Sequence, residues 1–153
     1  MRRLRIGVIG TGTIAYGSHL PAIAQLRDEL ELVAVADVRQ DVVQHVAQRF
    51  GAQSWYTDYH DLLARPDIDL VDVCTPEFLH REQVVAAAQA GKHIHCEKPM
   101  ASSVEEADAM IAAARAAGVK LMIGHSRRFT RRYQLIREAI ERGEVGEVRL
   151  VRE

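Results

Sequence analysis

The chain is poor in the residues that staple or rigidify small folds. Its 153 residues include two cysteines, four prolines and one tryptophan. Cys74 and Cys96 stand far apart, which fits neither a disulfide framework nor a zinc cluster, so reduced, buried thiols at strand ends are expected. Neither sign of charge dominates, since 20 Lys and Arg face 21 Asp and Glu for a net charge of −1. No global field therefore draws the chain to nucleic acid or to an anionic membrane. Aromatics amount to 5%. The arginine-rich segment 127–142 thus lacks the stacking ladder of a nucleic-acid site, and Glu138 and Glu141 interrupt it, as on a solvated helix face. No apolar run approaches the roughly 18 residues of a membrane span. Met1-Arg2-Arg3 leads almost at once into a strand pattern, without a signal core or small-residue cleavage site, so a cytoplasmic location is expected.

What is present is an alternation of strand and helix signals. Apolar residues make up 48% and charged residues 27%, the balance of an ordinary globular domain. A chain of this length buries roughly two-thirds of its unfolded surface as one domain. The chain is organised around the apolar run Leu4–Ile9, which enters Gly10-x-Gly12-x-x-Ala15 and then a helical pattern. Gly10 permits a tight strand-to-helix turn, Gly12 lets backbone approach a pyrophosphate, and Ala15 lets the helix pack on the strand. Thr13 and Ile14 open that helix, whose unpaired amides and positive dipole end suit an anion. Small residues also serve plain turns, so the motif alone leaves both readings open. A second apolar run, 31–36, ends in Asp37, 25 residues after Gly12 (37 − 12). An acid there accepts ribose hydroxyls of an adenosine, or else merely caps a turn.

The remaining punctuation is regular. A helix is expected over residues 13–26, with Pro21 kinking or breaking it near residues 18–19. Val43, Val46, Ala47 and Phe50 recur at helical spacing before Gly51. A short strand at 53–56 precedes a brief helix capped by Asp58 and stopped by Pro66. Strands at 70–74, His93–Cys96 and Leu121–Ile123 alternate with helices at 78–90, after Ser102 and Ser103, and at 130–142. Strands alternating with such helices predict an α/β fold, a doubly wound, mostly parallel six-stranded sheet of the Rossmann type. Its ligand cleft lies at the strand carboxyl ends, where the strand order reverses.

Two loops facing that cleft are chemically loaded. They are Cys74-Thr75-Pro76-Glu77-Phe78-Leu79-His80 and Glu97-Lys98-Pro99. A lysine held there can donate to a substrate oxygen or, desolvated, exchange a proton, although a lysine beside proline is commonly only a solvated loop cation. The series Gly10-x-Gly12-x-x-Ala15, Asp37, Thr75-Pro76-x-x-x-His80, Ala90-Gly91-Lys92-His93, Glu97-Lys98-Pro99 and Gly124-His125-x-x-Arg128-Phe129 resembles the glucose–fructose oxidoreductase and inositol dehydrogenase family. The resemblance runs the length of the chain in order, and Glu97-Lys98-Pro99 is its most specific part. It implies NAD-dependent hydride transfer, with NADP as the other option, at a hydroxyl- or carbonyl-bearing carbon of a sugar, polyol or related compound. By that resemblance Lys98 is the catalytic-site residue, and Thr75, Pro76, Glu97 and Lys98 contact the nicotinamide end. Asp37 with Arg39 contacts the adenosine ribose, and His80 is counted with the cofactor-binding residues, bonding within the cofactor loop, or else simply starts its helix.

The family pattern also includes a second α/β domain carrying most substrate contacts. Residues 1–145 are read as the dinucleotide domain, and 146–153, with an alternating pattern, as the first strand of that second domain. An isolated cofactor domain with an unpartnered strand is expected to self-associate, to bind cofactor and not to turn over. His93 and His95 share one strand face, yet further ligands for a metal are not evident, and a structural pair is expected. His125 and Arg128 fall near the substrate side, in a solvated or a contacting role. Two rivals share the glycine turn and Asp37: a non-enzymatic NAD(H)-binding sensor and an S-adenosylmethionine-dependent methyltransferase. Neither needs Glu97-Lys98-Pro99. A short-chain dehydrogenase is set aside because no tyrosine is followed four residues later by lysine.

Overall fold

The computed structural model describes residues 2–151. Six strands form one sheet in the order β3-β2-β1-β4-β5-β6, and every neighbouring pair is parallel. They are β1 (Leu4–Ile9), β2 (Leu30–Ala36), β3 (Ser54–Tyr56), β4 (Leu70–Val73), β5 (His93–Cys96) and β6 (Leu121–Ile123). The helices between them are α1 (Leu20–Gln25), α2 (Gln40–Phe50), α3 (Tyr59–Leu63), α4 (His80–Gln89), α5 (Val104–Ala116) and α6 (Arg131–Glu141). This is the doubly wound order, with β2 and β4 leaving β1 on opposite sides, so the switch point lies between β1 and β4.

The central strands are mostly apolar because both sheet faces are covered there. One face packs Leu62, Val84, Ala87 and Met110 from α3, α4 and α5. The other packs Leu20, Ile23, Val43 and Val46 from α1 and α2. A Cβ on Gly7 would lie 2.7 Å from Leu62 Cδ2, so the bare backbone of β1 is what lets α3 seat. Local signals place the helix starts. The Asp58 carboxylate accepts from the His60 amide, and Ser103 Oγ from the Glu106 amide, while Glu106 accepts in return from Ser102 N–H.

The irregularity expected near residues 18–19 takes the form of a widened turn. The chain widens into a π-turn over Ala15–His19, with Leu20 N–H bonding back to the Ala15 carbonyl, and then continues as α1. Proline has no N–H for the carbonyl four residues earlier and its ring crowds that carbonyl, and the wider turn relieves both. The end of the chain has no strand partner: residues 147–151 pair with no strand among the described residues, and 152 and 153 lie outside them. An edge becomes a strand only beside a partner. Leu150 and Val151 are accordingly exposed, and α6 buries none of its residues. Among the described residues no helix is long and apolar enough to cross a membrane.

Candidate active site

The loops at the carboxyl ends of β1, β2, β4, β5 and β6 adjoin one another in a continuous series. Gly10 has φ +86°, and a Cβ there would stand 2.8 Å from Thr75 Cγ2 and 3.0 Å from the Cys74 carbonyl. The turn after β1 is thus pressed against the loop after β4 and requires glycine twice over. Gly12 is different: nothing lies within 4 Å of where its Cβ would be. No protein group needs that position bare, so its bareness leaves room for a ligand at the opening of the helix. Thr13 and Ile14, the next two residues, are exposed there.

Asp37 is held from two sides. Its Oδ2 accepts from Thr11 N–H and Thr11 Oγ1, both at 2.9 Å, and its Oδ1 accepts from Arg39 N–H at 3.1 Å. The Arg39 guanidinium grips both oxygens, at 3.1 and 3.2 Å. Burial alone would raise its pKa, but these donors outweigh it and hold the carboxyl at about 2. The Arg39 side chain is 56% exposed and can exchange with solvent or ligand, whereas Thr11 is buried and fixes the carboxylate's position.

The loops after β4 and β5 are tied to each other by His80. The ring is 1% exposed; Nε2 lies 2.8 Å from the Thr75 carbonyl and Nδ1 3.0 Å from that of Pro99. Sequence placed His80 among the cofactor contacts, whereas the structure places it beneath the loops, as the pin that joins them. Thr75 is further held by Oγ1 donating to Gln83 Oε1 at 2.5 Å. Pro76, Lys98 and Pro99 are exposed at the rim, and the Lys98–Pro99 peptide is cis. Lys92 is not in the cleft. It is buried at the start of β5, where its ammonium donates to the Arg65 and Ile68 carbonyls and burial lowers its pKa. His125 and Arg128 are exposed beyond β6, on the loop and the short turn that follows it.

Below the Glu97–Lys98 turn lies a cluster that periodicity did not reveal. Asp72 on β4 is 5% exposed; its Oδ2 lies 2.7 Å from His19 Nδ1 and its Oδ1 2.8 Å from His95 Nδ1. His19 Nε2 lies 3.0 Å from Glu97 Oε1. The bond to Asp72 raises the His19 pKa against the opposing effect of burial, and Glu97 adds to the rise. Burial would raise the Asp72 pKa, but the two imidazoles outweigh it and keep the carboxyl ionised. His19, Asp72 and His95 offer metal-ligand atoms within 4.8 Å of one another, and the short bonds among them account for that closeness. His93 and His95 are each satisfied separately, since His93 Nδ1 accepts from Lys120 N–H at 3.1 Å while His95 bonds Asp72. The only sequence signal for this cluster was an acid inside an otherwise apolar strand. Cys74 and Cys96 are free and buried, and burial pushes the Cys96 thiol up to about 12.

Comparison with known proteins agrees with this geometry. The chain is 37% identical over 149 residues to a myo-inositol 2-dehydrogenase of Thermotoga maritima, covering 97% of this chain and 44% of that protein. It superposes with a TM-score of 0.90 and 36% identity on the WlbA dehydrogenase of Bordetella pertussis, solved with NADH and UDP-GlcNAcA, over 95% of this chain and 44% of that one. A 3-ketoreductase of Actinomadura kijaniata, solved with NADP and TDP-benzene, matches with a TM-score of 0.88 and 32% identity over 97% of this chain and 46% of that one. The chain thus spans less than half the length of these relatives. Residues 4–125 match the model of an oxidoreductase family with an NAD-binding Rossmann fold. The glycine turn, the acid after β2 and the Glu-Lys-Pro loop are therefore read together: the chain belongs to the Gfo/Idh/MocA oxidoreductase family.

Proposed function

We propose that this chain is the cofactor-binding domain of a dehydrogenase that moves a hydride between a nicotinamide dinucleotide and a hydroxyl- or carbonyl-bearing carbon of a sugar, polyol or related compound. The observation that carries this reading is the placement of Lys98 on the β5 loop, one rim of the cleft whose other rim holds Gly12 and Asp37. The dinucleotide, when bound, supplies the carbon that accepts or gives the hydride. The amides opening the helix at Thr13 and Ile14 bind its pyrophosphate, and Gly12 admits the close approach. Asp37, fixed by Thr11, accepts the adenosine ribose hydroxyls as Arg39 yields. Thr75, Pro76 and Glu97 border the nicotinamide end. The Lys98 ammonium donates to the reacting oxygen and exchanges a proton at Nζ. A non-enzymatic NAD(H) sensor would need Gly12 and Asp37 but not Lys98. Calorimetric titration with NADH, NADPH and S-adenosylmethionine tests the class of ligand, and S-adenosylmethionine alone binding would reject the reading.

NAD(H) is preferred over NADP(H), because the Asp37 charge repels a 2′-phosphate at close range. Arg39 moderates this, since it can leave Asp37 for the phosphate. Asp37→Ala therefore weakens NADH and narrows its advantage over NADPH. Equal or tighter NADPH binding by the unaltered chain would reverse the assignment.

Residues 146–153 are the first strand of the second domain, and the domain alone associates with itself. Leu135, Ile136 and Ile140 on α6 are 40–47% exposed, as is Met122 on β6 at 46%, while Val148, Leu150 and Val151 are bare beside them in sequence. Such surfaces favour association. Light scattering over a concentration series should show growth in mass, and a monomer throughout would refute it.

A further inference from the structure

Among the residues under the β5 loop, His19 stands out by its bonding. Both of its ring nitrogens face carboxylate oxygens, Asp72 Oδ2 at 2.7 Å and Glu97 Oε1 at 3.0 Å. An ionised carboxylate only accepts, and a neutral imidazole donates from one nitrogen only. Both bonds are made together by the imidazolium. Asp72 sets the ring's orientation and is itself fixed by His95 Nδ1 at 2.8 Å. The other Glu97 oxygen accepts from the Lys98 backbone N–H at 3.0 Å. One carboxylate thus joins the His19 ring to the backbone of the residue that carries the ammonium. On the β6 side a Cβ on Gly124 would lie 3.2 Å from Glu97 Oε1 and 3.4 Å from His95 Nε2, so the glycine leaves these two side chains the space they occupy. The remaining neighbour is the Cys74 thiol, 3.4 Å from His19 Nδ1; burial pushes its pKa up, leaving it neutral.

We propose that His19 is a positioning residue for the Glu97–Lys98 loop: its charged ring, oriented by Asp72, holds the Glu97 carboxylate and through it the Lys98 backbone. The π-turn gives the helix the width to set His19 over β4 and β5. The catalytic sense of this positioning rests on the dehydrogenase reading, but the coupling itself is a property of the chain without cofactor. The raised His19 pKa fixes the direction of its pH dependence. The stability gained from charging His19 is full below its unfolded pKa of about 6.5 and is lost as pH rises through the higher folded value.

The test is nuclear magnetic resonance of the labelled chain in EDTA, from pH 5.5 to 10. The His19 ring nitrogens should titrate with a midpoint above 6.5, and the Lys98 amide should shift with that same midpoint. In Glu97→Gln the ring still titrates but the Lys98 amide no longer follows it. In His19→Gln the step disappears. NADH affinity of the unaltered chain should fall roughly tenfold through the same midpoint, the scale of one charge-assisted hydrogen bond. A Lys98 amide that stays flat, or moves with its own midpoint, overturns the proposal. If His19→Gln does not fold, Glu97→Gln with the unaltered chain still decides it. Coupling without any NADH binding would remove the dehydrogenase reading and leave the link intact. NADH binding without coupling would do the reverse.

Discussion

Alanine at Gly10 lowers stability by about 2–4 kcal/mol, whereas alanine at Gly12 leaves the melting temperature unchanged and weakens NADH binding by roughly tenfold or more. The two glycines sit two residues apart in one motif, yet their surroundings separate them. At Gly10 a side chain meets a left-handed backbone, worth roughly 1–2 kcal/mol. It also meets Thr75 at 2.8 Å and the Cys74 backbone at 3.0 Å, where a carbonyl cannot step aside as a flexible side-chain end could. At Gly12 the added methyl enters open space, so folding does not sense it, but a pyrophosphate drawn against the bare backbone does. Thermal melts and NADH titrations of both variants make the comparison. A fall in melting temperature at Gly12 as large as that at Gly10, or full NADH affinity in Gly12→Ala, would show that the motif is only a turn.

Lys98→Met in the enzyme that includes the second domain lowers kcat by roughly 10²–10³ while NADH binding stays within a few-fold. That is the scale of losing one donor to a reacting oxygen in a water-poor site. Lys98 is exposed on its loop and buries no apolar surface of consequence, so the loss is chemical and not structural. Residues 1–153 alone bind NADH and do not oxidise polyols. Hydride transfer requires the substrate carbon about 3–3.5 Å from the nicotinamide, and orientation of that kind supplies roughly 7–11 kcal/mol of barrier lowering. In the proposed dehydrogenase reading, the groups that would orient the substrate lie on the second domain and not on residues 1–153. Steady NADH production from a polyol panel by the isolated chain, or near-normal kcat in the Lys98→Met enzyme, would each overturn the corresponding half.

A third expected result concerns the pin between the loops. His80→Ala removes the ring that bridges the Thr75 and Pro99 carbonyls and opens a void in a residue position that is 1% exposed. The cavity and the lost bonds destabilise by about 2–4 kcal/mol. Denaturant unfolding checks this, and a midpoint unchanged from the parent chain would return His80 to the role of a plain helix-start residue.

The sequence by itself determined the fold class, the six strands and most helix starts. The physical reason is range. A strand buried on both faces needs a continuous apolar run, and Leu4–Ile9 is one on its own terms. A cap such as Asp58 on His60 spans two residues, and Ser103 on Glu106 spans three. The glycine turn, Asp37 and Glu97-Lys98-Pro99 were legible for the same reason, because each sits directly after a strand. Tertiary structure decided what depends on distant partners. The Asp37 carboxylate is fixed in place by Thr11, 26 residues away, which joins the nearby Arg39 in holding its pKa down. His80 looked like a cofactor contact until two loops, 5 and 19 residues distant, closed over it. His19, Asp72 and Glu97 come from a helix, a strand and a loop separated by 53 and 25 residues (72 − 19 and 97 − 72), and only the β1-β4-β5 order brings them together. Residues 148–151 carry the alternation of a strand and form none, because alternation selects a face while a neighbouring backbone is what makes a strand.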